Sequence, residues 1–356
     1  MPLISTRAGA SARGFSHMAS SIFPGFNNNS TLAVAHDASP YVTVYKFNDV
    51  TGFGTKYTDP TNFPIPAGAG ANSVNFINNA SNPAQSIIVG LATSPDSLVG
   101  YRFSTTTGFG ATRYLSNAAS TYIYSAASKS DGSVVAAGTL SSPYIVAVPW
   151  NVGFGTKYSD PATTPGGIGY GITFNPTGTV LLVQSSAYPY LHAYAWSSGF
   201  GTKYADPTSG ISSSYGGHVK FHPNGDAFVS GSSGNAYAWS SGFGTKYATP
   251  TGAPALSSGA EWNPAGTIIA FSDDFANKLI AYDWSSGFGT KYADGTNFPS
   301  VTFSKAFAWN PTGTAIAVGT LSSPYIYVYS WYNGFQARYS NPSTLPTGTV
   351  NAAAFL

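Results

Sequence analysis

The sequence has no cysteine and little charge, and both absences narrow the chemistry that is open to it. Without cysteine, disulfide bonds, thiolate catalysis and cysteine–zinc centres are excluded. Charged residues make up 8% of the 356 residues, whereas about 25% is usual in soluble domains. The net charge is only +2 and no run of basic residues occurs. The electrostatic footprint of a nucleic-acid-binding protein is therefore missing.

Long apolar runs and an export signal are absent as well. No apolar run approaches the ~20 residues that span a bilayer, so no membrane insertion is expected. The first twenty residues, MPLISTRAGASARGFSHMAS, contain no continuous apolar stretch and do not read as a secretory signal. The surface composition, rich in Gly, Ser, Thr, Asn and Tyr, is nevertheless that of an extracellular protein. A component of a virus particle, released by lysis, would reconcile the two observations, and we expect localisation in a virion.

One motif, centred on GFGTKY, occurs seven times along the chain. Successive copies are 43 to 56 residues apart, and propeller blades typically repeat at about 40–50 residues. The first glycine of each copy lies at Gly52, Gly108, Gly153, Gly199, Gly242, Gly287 and Gly334. Short stretches of period-2 alternation, punctuated by Gly and Pro, favour strands over helices. The repeat therefore predicts a β-propeller with one blade per copy.

Each copy reads as four short strands, and the copy from Tyr170 to Pro207 shows the pattern. Its first strand, YGITFNP, ends at a turn in which Gly178 tolerates a positive φ. The second strand is TVLLVQSS, the third is LHAYAW and the fourth is FGTKYADP. Proline ends the fourth strand because it cannot donate a hydrogen bond to a neighbour.

The aromatic-Asn-Pro-x-Gly turn, the aliphatic strand and the strand ending in Trp together resemble the WD40-like propeller family. The resemblance covers roughly Ser30 to the C-terminus, but the Gly-His and Trp-Asp signatures of that family are absent. It implies the fold and no particular function. We expect an all-β chain: an N-terminal arm over residues 1–18, then a single seven-bladed β-propeller over 19–356 with four antiparallel strands per blade.

Ring closure has two candidate solutions in the sequence. The tail Val350–Leu356 (VNAAAFL) has the pattern of a first strand and can supply the innermost strand of the blade that starts near Thr31. Joining the first and last blades in this way removes the free edges of the ring. In the alternative, Ala19–Phe23 fills that position and the tail packs elsewhere. We favour closure by the C-terminal strand.

The N-terminal segment LISTRAGASARGF resembles the N-terminal peptides of some bacteriophage virion and tail proteins, which are rich in small residues and Arg. The resemblance implies an arm that docks into a neighbouring virion protein and folds on binding. The arm's candidate contact residues are Leu3, Ile4, Arg7, Arg13 and Phe15. The competing interpretation is a disordered chain end.

The loops between second and third strands and between blades vary, and they share one face of the propeller. Variable loops on a rigid scaffold are where recognition usually occurs, and their Tyr, Ser, Gly and Asn resemble an adaptable paratope. The candidate ligand-binding residues on this face are Tyr41, Tyr144, Tyr190, Tyr215, Asp273, Asp274 and Tyr325. The alternative is that the tyrosines simply cap the hairpin ends.

Two further periodic positions are assigned to the scaffold. A basic residue stands in every copy of the motif, and on exposed fourth strands it blocks edge-to-edge pairing. Large aromatic residues end the third strands and are expected to pack between blades. The basic positions are Lys56, Arg113, Lys157, Lys203, Lys246, Lys291 and Arg338, and the aromatic ones are Phe47, Phe103, Trp150, Trp196, Trp239, Trp284 and Trp331.

A search for catalytic groups finds no convincing constellation. His218 and His222 are four residues apart, which on a strand separates them by about 13 Å, so no metal site is expected. A glycosidase needs two carboxylates at a set separation, and Asp273-Asp274 could pair with Asp226 or Asp96. Nothing in the sequence brings them together. No nucleophile elbow, P-loop or EF-hand pattern occurs.

The sequence thus leads to the expectation of a non-enzymatic bacteriophage virion protein without cofactor. The propeller would be displayed on a tail fibre or appendage, with the arm on other virion proteins and the variable loops toward a host surface glycan or protein. One alternative is an architectural capsid, neck or tail decoration protein. A second is a polysaccharide-degrading enzyme.

Overall fold

The computed structural model describes residues 28–61, 63, 70–79, 82–93, 97–116, 118, 121–208, 218–230, 234–254, 257, 259–273, 276, 278–294, 298 and 302–356. This part of the chain consists of β-strands, turns and loops. No helix within it is long and apolar enough to cross a membrane. The expected arm, residues 1–18, with Leu3, Ile4, Arg7, Arg13 and Phe15, lies outside the described residues.

The strands follow one another in chain order as seven successive groups. They are β1 (Asn29–His36), β2 (Val42–Asn48), β3 (Gly52–Lys56); β4 (Ala71–Asn79), β5 (Asn82–Leu91), β6 (Leu98–Ser104), β7 (Gly108–Ser116); β8 (Ile123–Ser128), β9 (Val134–Thr139), β10 (Ile145–Pro149); β11 (Gly169–Phe174), β12 (Val180–Ser185), β13 (Leu191–Trp196), β14 (Phe200–Lys203); β15 (Val219–Phe221), β16 (Ala227–Ser230), β17 (Asn235–Trp239), β18 (Phe243–Lys246); β19 (Ala260–Trp262), β20 (Ile268–Asp273), β21 (Lys278–Trp284), β22 (Phe288–Lys291); β23 (Phe303–Trp309), β24 (Ala315–Thr320), β25 (Ile326–Trp331), β26 (Phe335–Arg338); and β27 (Val350–Phe355).

Seven antiparallel sheets form the blades of a seven-bladed propeller, as the repeat predicts. In blades 2 and 4 to 7 the four strands are paired in chain order, so the first strand is innermost and the fourth is outermost. Blade 3 is an exception, because only β8, β9 and β10 form its sheet. At the position of its fourth strand a single bridge joins Trp150 to Phe154.

The C-terminal strand closes the ring. In blade 1 the order is β27-β1-β2-β3, and Leu32 pairs with Phe355 while Val34 pairs with Ala353. The Thr31 amide donates to the Leu356 carbonyl at 3.1 Å, and the Leu356 amide donates back at 2.9 Å. The favoured closure is therefore confirmed. The alternative is wrong because β27 fills the innermost position, and residues 19–23 lie outside the described part of the chain.

The tyrosine of the repeated motif joins each blade to the next. Its ring meets the aromatic residue at the end of the next blade's third strand edge-to-face, with centroids 4.9 to 5.7 Å apart. Such pairs contribute ~0.5–1.5 kcal/mol beyond their area burial. The seven pairs are Tyr57–Phe103, Tyr114–Trp150, Tyr158–Trp196, Tyr204–Trp239, Tyr247–Trp284, Tyr292–Trp331 and Tyr339–Phe47. The expectation that the third-strand aromatics pack between blades is confirmed.

The first glycine of the motif makes room for that tyrosine. Gly52 has a φ of +80°, and a Cβ built on it would lie 2.9 Å from Cδ1 of Tyr339. Any side chain here would strain the backbone and push the tyrosine away from Phe47. The motif phenylalanine packs within its own blade, as Phe200 does against Trp196 with centroids 5.0 Å apart. The first glycine, the phenylalanine and the tyrosine of the repeat are thus explained by packing.

The motif lysines lie on the outer edge, as expected for scaffold residues. Lys56 approaches Asp59 at 2.5 Å, Lys157 approaches Asp160 at 2.6 Å and Lys291 approaches Asp294 at 2.7 Å. These carboxylates are substantially exposed, and surface ion pairs of this kind contribute only ~0–1 kcal/mol.

We expect deletion of residues 351–356 to abolish cooperative unfolding. The truncated chain would expose the edge of β1 and open the ring between blades 7 and 1, since β27 also packs against β23 and β24. Thermal unfolding followed by circular dichroism measures this directly against the full-length chain. An unchanged midpoint would show that the ring does not depend on this strand.

We expect the Tyr57→Phe variant to be less stable than the Tyr158→Phe variant. Both rings meet the aromatic residue of the next blade edge-to-face, with centroids 5.2 Å apart. The Tyr57 hydroxyl also donates to the Thr105 carbonyl at 2.6 Å. Losing that bond costs about 0.5–1.5 kcal/mol, whereas the described residues offer Tyr158 no such acceptor. Chemical denaturation of both variants gives the difference, and equal losses would assign the whole contribution to ring packing.

Candidate functional site on the propeller axis

The first strands of the seven blades surround a central channel. All of them run in the same direction, from the loop that joins two blades to the turn before the second strand. The beginnings of these strands therefore lie at the face that carries the variable loops. A cavity of about 90 Å³ occupies this part of the channel, and it is lined from β4, β8, β11, β15, β23 and β27. We call it the axial chamber.

Two lysines and a histidine lie in the wall of the axial chamber, namely Lys220, Lys305 and His218. No Asp or Glu side chain is among its described lining residues. The Lys220 Nζ is 2.8 Å from a carboxylate oxygen of Glu261, which lies below the chamber and lines the lower part of the channel. The chamber itself is consequently electropositive and suited to an anionic ligand.

Lys305 is largely buried and has no carboxylate partner among the described residues. It projects from β23 across the channel toward β8, with its Nζ 5.7 Å from the centroid of the Tyr124 ring. Burial lowers the pKa of the Lys305 ammonium from its ordinary value. Burying a cation without a counterion costs desolvation free energy and lowers the stability of the fold. We therefore expect this side chain to have a functional role.

His218 places an unsatisfied nitrogen beside the same chamber. Its Nε2 is buried and has no hydrogen-bond partner, although the residue as a whole keeps some exposed surface. Burial, and then the positive charges of Lys220 and Lys305, lower the pKa of His218 to about 3, against the opposing effect of a hydrogen bond with the Lys305 backbone. The imidazole is therefore neutral at pH 7, and its buried Nε2 lies without a hydrogen-bond partner in the wall of the chamber.

Amide and phenol side chains complete the wall. Asn72, Asn75 and Asn351 each donate from Nδ2 to a backbone carbonyl of the next blade's first strand, at 2.8, 2.8 and 3.1 Å. These bonds hold the first strands together around the axis and orient the amides toward the channel. Tyr124 contacts the rings of Tyr122 and Tyr170 at centroid distances of 4.7 and 5.1 Å. The result is an aromatic wall on blades 3 and 4, opposite Lys305 on blade 7.

The predicted loop tyrosines occupy one recurring turn. Tyr41, Tyr144, Tyr190 and Tyr325 each follow a cis proline and have φ values of 67° to 68°. Their side chains are half-buried, and those of Tyr41 and Tyr325 pack against the core. The turns do lie on the variable-loop face, at the second-to-third connections. A role for these tyrosines in ligand binding stays a prediction, with none of them among the residues that line the axial chamber.

The predicted acidic residues do not form a site in the described part of the chain. Asp273 is buried at the end of β20 and accepts a hydrogen bond from the Ala276 amide at 3.2 Å. Asp226 stands at the opposite face, in the turn before β16, where it contacts His222. The suggested pairing of Asp273 with Asp226 is therefore wrong. Tyr215, Asp274 and Asp96 lie outside the described residues.

His218 and His222 are separated as the strand prediction requires. His218 faces the axial chamber, whereas the Nε2 of His222 bonds the Gly266 carbonyl of the next blade at 2.8 Å. His222 thus replaces the turn asparagine of other blades, such as Asn310, whose Oδ1 accepts from the Thr314 and Ala315 amides. The described residues hold no group of three His, Asp or Glu side chains placed for a metal ion.

The sequence interpretation missed Lys220 and Lys305, although a signal for both was present. The basic residues of the repeat stand in fourth strands, but HVKFHP and FSKAFAWNP place a lysine in a first strand. A charge in the strand nearest the axis departs from the repeat and has no scaffold function. Such a departure marks the residues that face the channel.

Comparison with solved structures shows the same fold in proteins named as lactonases. A protein of Bacteroides fragilis provisionally named a 6-phosphogluconolactonase is 12% identical, with a TM-score of 0.66 over 92% of this chain and 98% of that one. A Bacteroides uniformis protein with the same provisional name is 14% identical, with a TM-score of 0.66 over 92% and 99%. The periplasmic gluconolactonase PpgL of Pseudomonas aeruginosa is 11% identical, again with 0.66 over 92% and 99%.

These likenesses correct two expectations drawn from the sequence. The expectation of a non-enzymatic bacteriophage virion protein is wrong, because proteins that share this ring over nearly its whole length are named as enzymes. At sequence identities of 11 to 14%, the structural likeness establishes the fold alone. No protein-family profile matches the chain, and no curated protein sequence matches it. The WD40-like resemblance is thus confirmed for the seven-bladed architecture alone.

Two further histidines are buried away from the axis and make the fold sensitive to acid. Burial lowers the pKa of His36 to about 4, although its ring bonds the Thr43 hydroxyl at 2.9 Å. Burial, with a smaller contribution from Lys203, also lowers the pKa of His192 to about 4. Both ring nitrogens of His192 are buried without a hydrogen-bond partner. Protonation of either histidine therefore lowers the free energy of unfolding.

We expect stability to be full above about pH 6.5, the ordinary histidine pKa, and to fall as the pH drops toward 4. In this window the unfolded chain binds protons that the folded chain does not, at roughly 1.4 kcal/mol per pKa unit. The His192→Val variant should lose part of this dependence, because Val99 and Val146 stand at the equivalent positions of blades 2 and 3. Thermal midpoints from pH 7.5 to 4.5 test this. A parallel pH dependence in both proteins would contradict it.

Proposed function

We propose that the chain hydrolyses the lactone of a small anionic sugar acid bound in the axial chamber. The observation that carries the proposal is that Lys305, Lys220 and His218, whose buried Nε2 has no hydrogen-bond partner, line one chamber. The lactonase names of proteins with the same ring supply the reaction class.

Positive charge in the chamber suits both the substrate and the reaction. Hydrolysis begins when the oxygen of a water molecule attacks the lactone carbonyl carbon, and negative charge then develops on the carbonyl oxygen. Of the two lysines that line the chamber, Lys220 is paired with Glu261 and Lys305 has no carboxylate partner among the described residues, so the Lys305 ammonium is the group available to stabilise that oxyanion. A cation in a site shielded from water stabilises such charge more strongly than it would in bulk solvent.

His218 is suited to position the attacking water. Its Nε2 accepts a hydrogen bond from the water, and the imidazole is neutral because its pKa is lowered to about 3. The bond between the carbonyl carbon and the ring oxygen then breaks. The ring oxygen takes a proton that originates from the water, and a hydroxy acid is released. Lys220, held by Glu261 at 2.8 Å, lies at the base of the chamber, where it can contact an anionic group of the substrate.

The walls fit a polyhydroxylated ring. The side-chain nitrogens of Asn72, Asn75 and Asn351 donate hydrogen bonds to backbone carbonyls of neighbouring strands. The side-chain oxygens can then accept hydrogen bonds from hydroxyl groups of the substrate. The phenol ring of Tyr124, which contacts the rings of Tyr122 and Tyr170, offers an apolar surface on the other side. Aromatic walls with a few polar groups are the usual composition of small-molecule sites.

We expect the Lys305→Met variant to lose about 10²-fold in kcat/KM toward glucono-δ-lactone or its 6-phosphate, as for removal of other oxyanion-stabilising groups. His218→Leu should also lose activity, and the wild-type rate should show no inflection near pH 6.5, because His218 stays neutral there. Lys157→Met, on the outer edge, is the matched control. Hydrolysis is followed with a pH indicator and corrected for the spontaneous reaction.

The proposal fails if the wild-type protein does not accelerate ring opening of either lactone above the spontaneous rate. It fails equally if the Lys305→Met variant retains full activity. Calorimetric binding of gluconate or its 6-phosphate, tested on the same proteins, separates loss of binding from loss of turnover.

A further inference from the structure

Lys305 differs from the other described lysines in its surroundings. Seven of these lysines form ion pairs with Asp or Glu, namely Lys56, Lys129, Lys157, Lys203, Lys220, Lys278 and Lys291. A carboxylate neighbour keeps an ammonium group protonated, because it stabilises the charged form. Lys305 has no such neighbour and faces an aromatic ring. Lys46 also lies over a ring, that of Tyr57, without forming an ion pair, but its side chain is exposed, whereas Lys305 is largely buried.

Burial shifts the equilibrium of Lys305 from the ammonium ion toward the free amine. The side chain starts on a strand packed between the first strands of two neighbouring blades, and burial lowers its pKa. Only the unprotonated amine has the lone pair that attacks an electrophilic carbon, and enzymes prepare nucleophilic lysines by removing them from water in this way. The amine is also accessible, because Lys305 lines the axial chamber.

We infer that Lys305 is a covalent site, at which Nζ forms an imine with the carbonyl carbon of a small aldehyde or ketone in the axial chamber. The inference does not rest on the proposed hydrolysis, because a carbonyl compound reacts here without any lactone bond being broken. The chemical class is a short open-chain hydroxyaldehyde or hydroxyketone. Its hydroxyl groups match the amide oxygens of Asn72, Asn75 and Asn351.

The reaction is balanced without a redox partner. The Nζ lone pair forms a bond to the carbonyl carbon, and a proton passes from nitrogen to the oxygen that becomes a hydroxyl group. The nitrogen of this carbinolamine loses its second proton, the hydroxyl group leaves as water, and a carbon–nitrogen double bond remains. Water reverses each step, so the adduct is transient unless a reductant traps it.

The experiment is reductive trapping with glycolaldehyde and sodium cyanoborohydride on the full-length protein at neutral pH. Peptide mapping by mass spectrometry then gives the rate of hydroxyethylation at each lysine. We expect Lys305 to be modified faster than Lys157 and Lys246, which lie on the outer edge of the same molecule and serve as internal references. Short reaction times keep the surface lysines sparsely labelled.

Two variants separate covalent chemistry from simple accessibility. Lys305→Arg keeps a cation in the chamber but has no nucleophilic amine, and it should lose the fast adduct while its thermal midpoint stays close to wild type. Tyr124→Leu removes the ring beneath Nζ and should change the labelling rate of Lys305 but not that of Lys157. If the thermal midpoint falls strongly in both variants, the inference is decided by the labelling rate of Lys305 relative to Lys157 and Lys246 in the wild-type protein.

Labelling of Lys305 at or below the rate of Lys157 and Lys246 overturns the inference. Lactone hydrolysis measured on the same preparations keeps this outcome distinct from the proposed function. Fast labelling without hydrolysis supports the covalent site and rejects the lactonase. Hydrolysis without fast labelling rejects the covalent site and supports the lactonase.

Discussion

The contact on which the rest of the molecule depends is the edge-to-face meeting of a motif tyrosine with the aromatic residue of the next blade. It recurs seven times, with Tyr339 of blade 7 on Phe47 of blade 1 completing the circle. No single contact is strong, since each contributes about 1 kcal/mol. Because the circle is closed, the geometry of every blade is set by two neighbours, and the glycine of the motif exists to keep the tyrosine's place open.

Because the motif residues are committed to packing, the candidate functional residues lie elsewhere. The tyrosine, glycine and phenylalanine of the motif are committed to packing, and its lysine to the surface. The axis is the one region where the repeat leaves choices, because the first strands contribute their residues to a channel that contains no repeated motif. Lys220, Lys305 and His218 stand there, as individual departures from an otherwise uniform design.

The period of the motif was sufficient to predict seven blades, the order of strands and the closure by Val350–Leu356, because each depends on local patterns that the repeat displays openly. The axial chamber could not be found in the same way. Its residues come from six blades and are brought together only by the curvature of the ring, which no spacing along the chain expresses. Asp273 and Asp226 show the converse error: both are acidic and within one blade-length in sequence, yet they lie at opposite faces. The choice of a virion function rested on composition and on a short N-terminal peptide, and composition reports the surface of a protein rather than the chemistry at its axis.

The pairing of β27 with β1 has a mechanical consequence. The two strands are antiparallel, and Leu32 opposite Phe355 and His36 opposite Val350 place the start of β1 and the end of β27 at the same end of the ladder. A force that pulls the two chain ends apart would therefore open this sheet like a zipper, loading its hydrogen bonds one at a time instead of sharing the load among them. Pulling on the two chain ends would therefore separate β27 from β1 at low force, and the first hydrogen bonds to break would be those between Thr31 and Leu356.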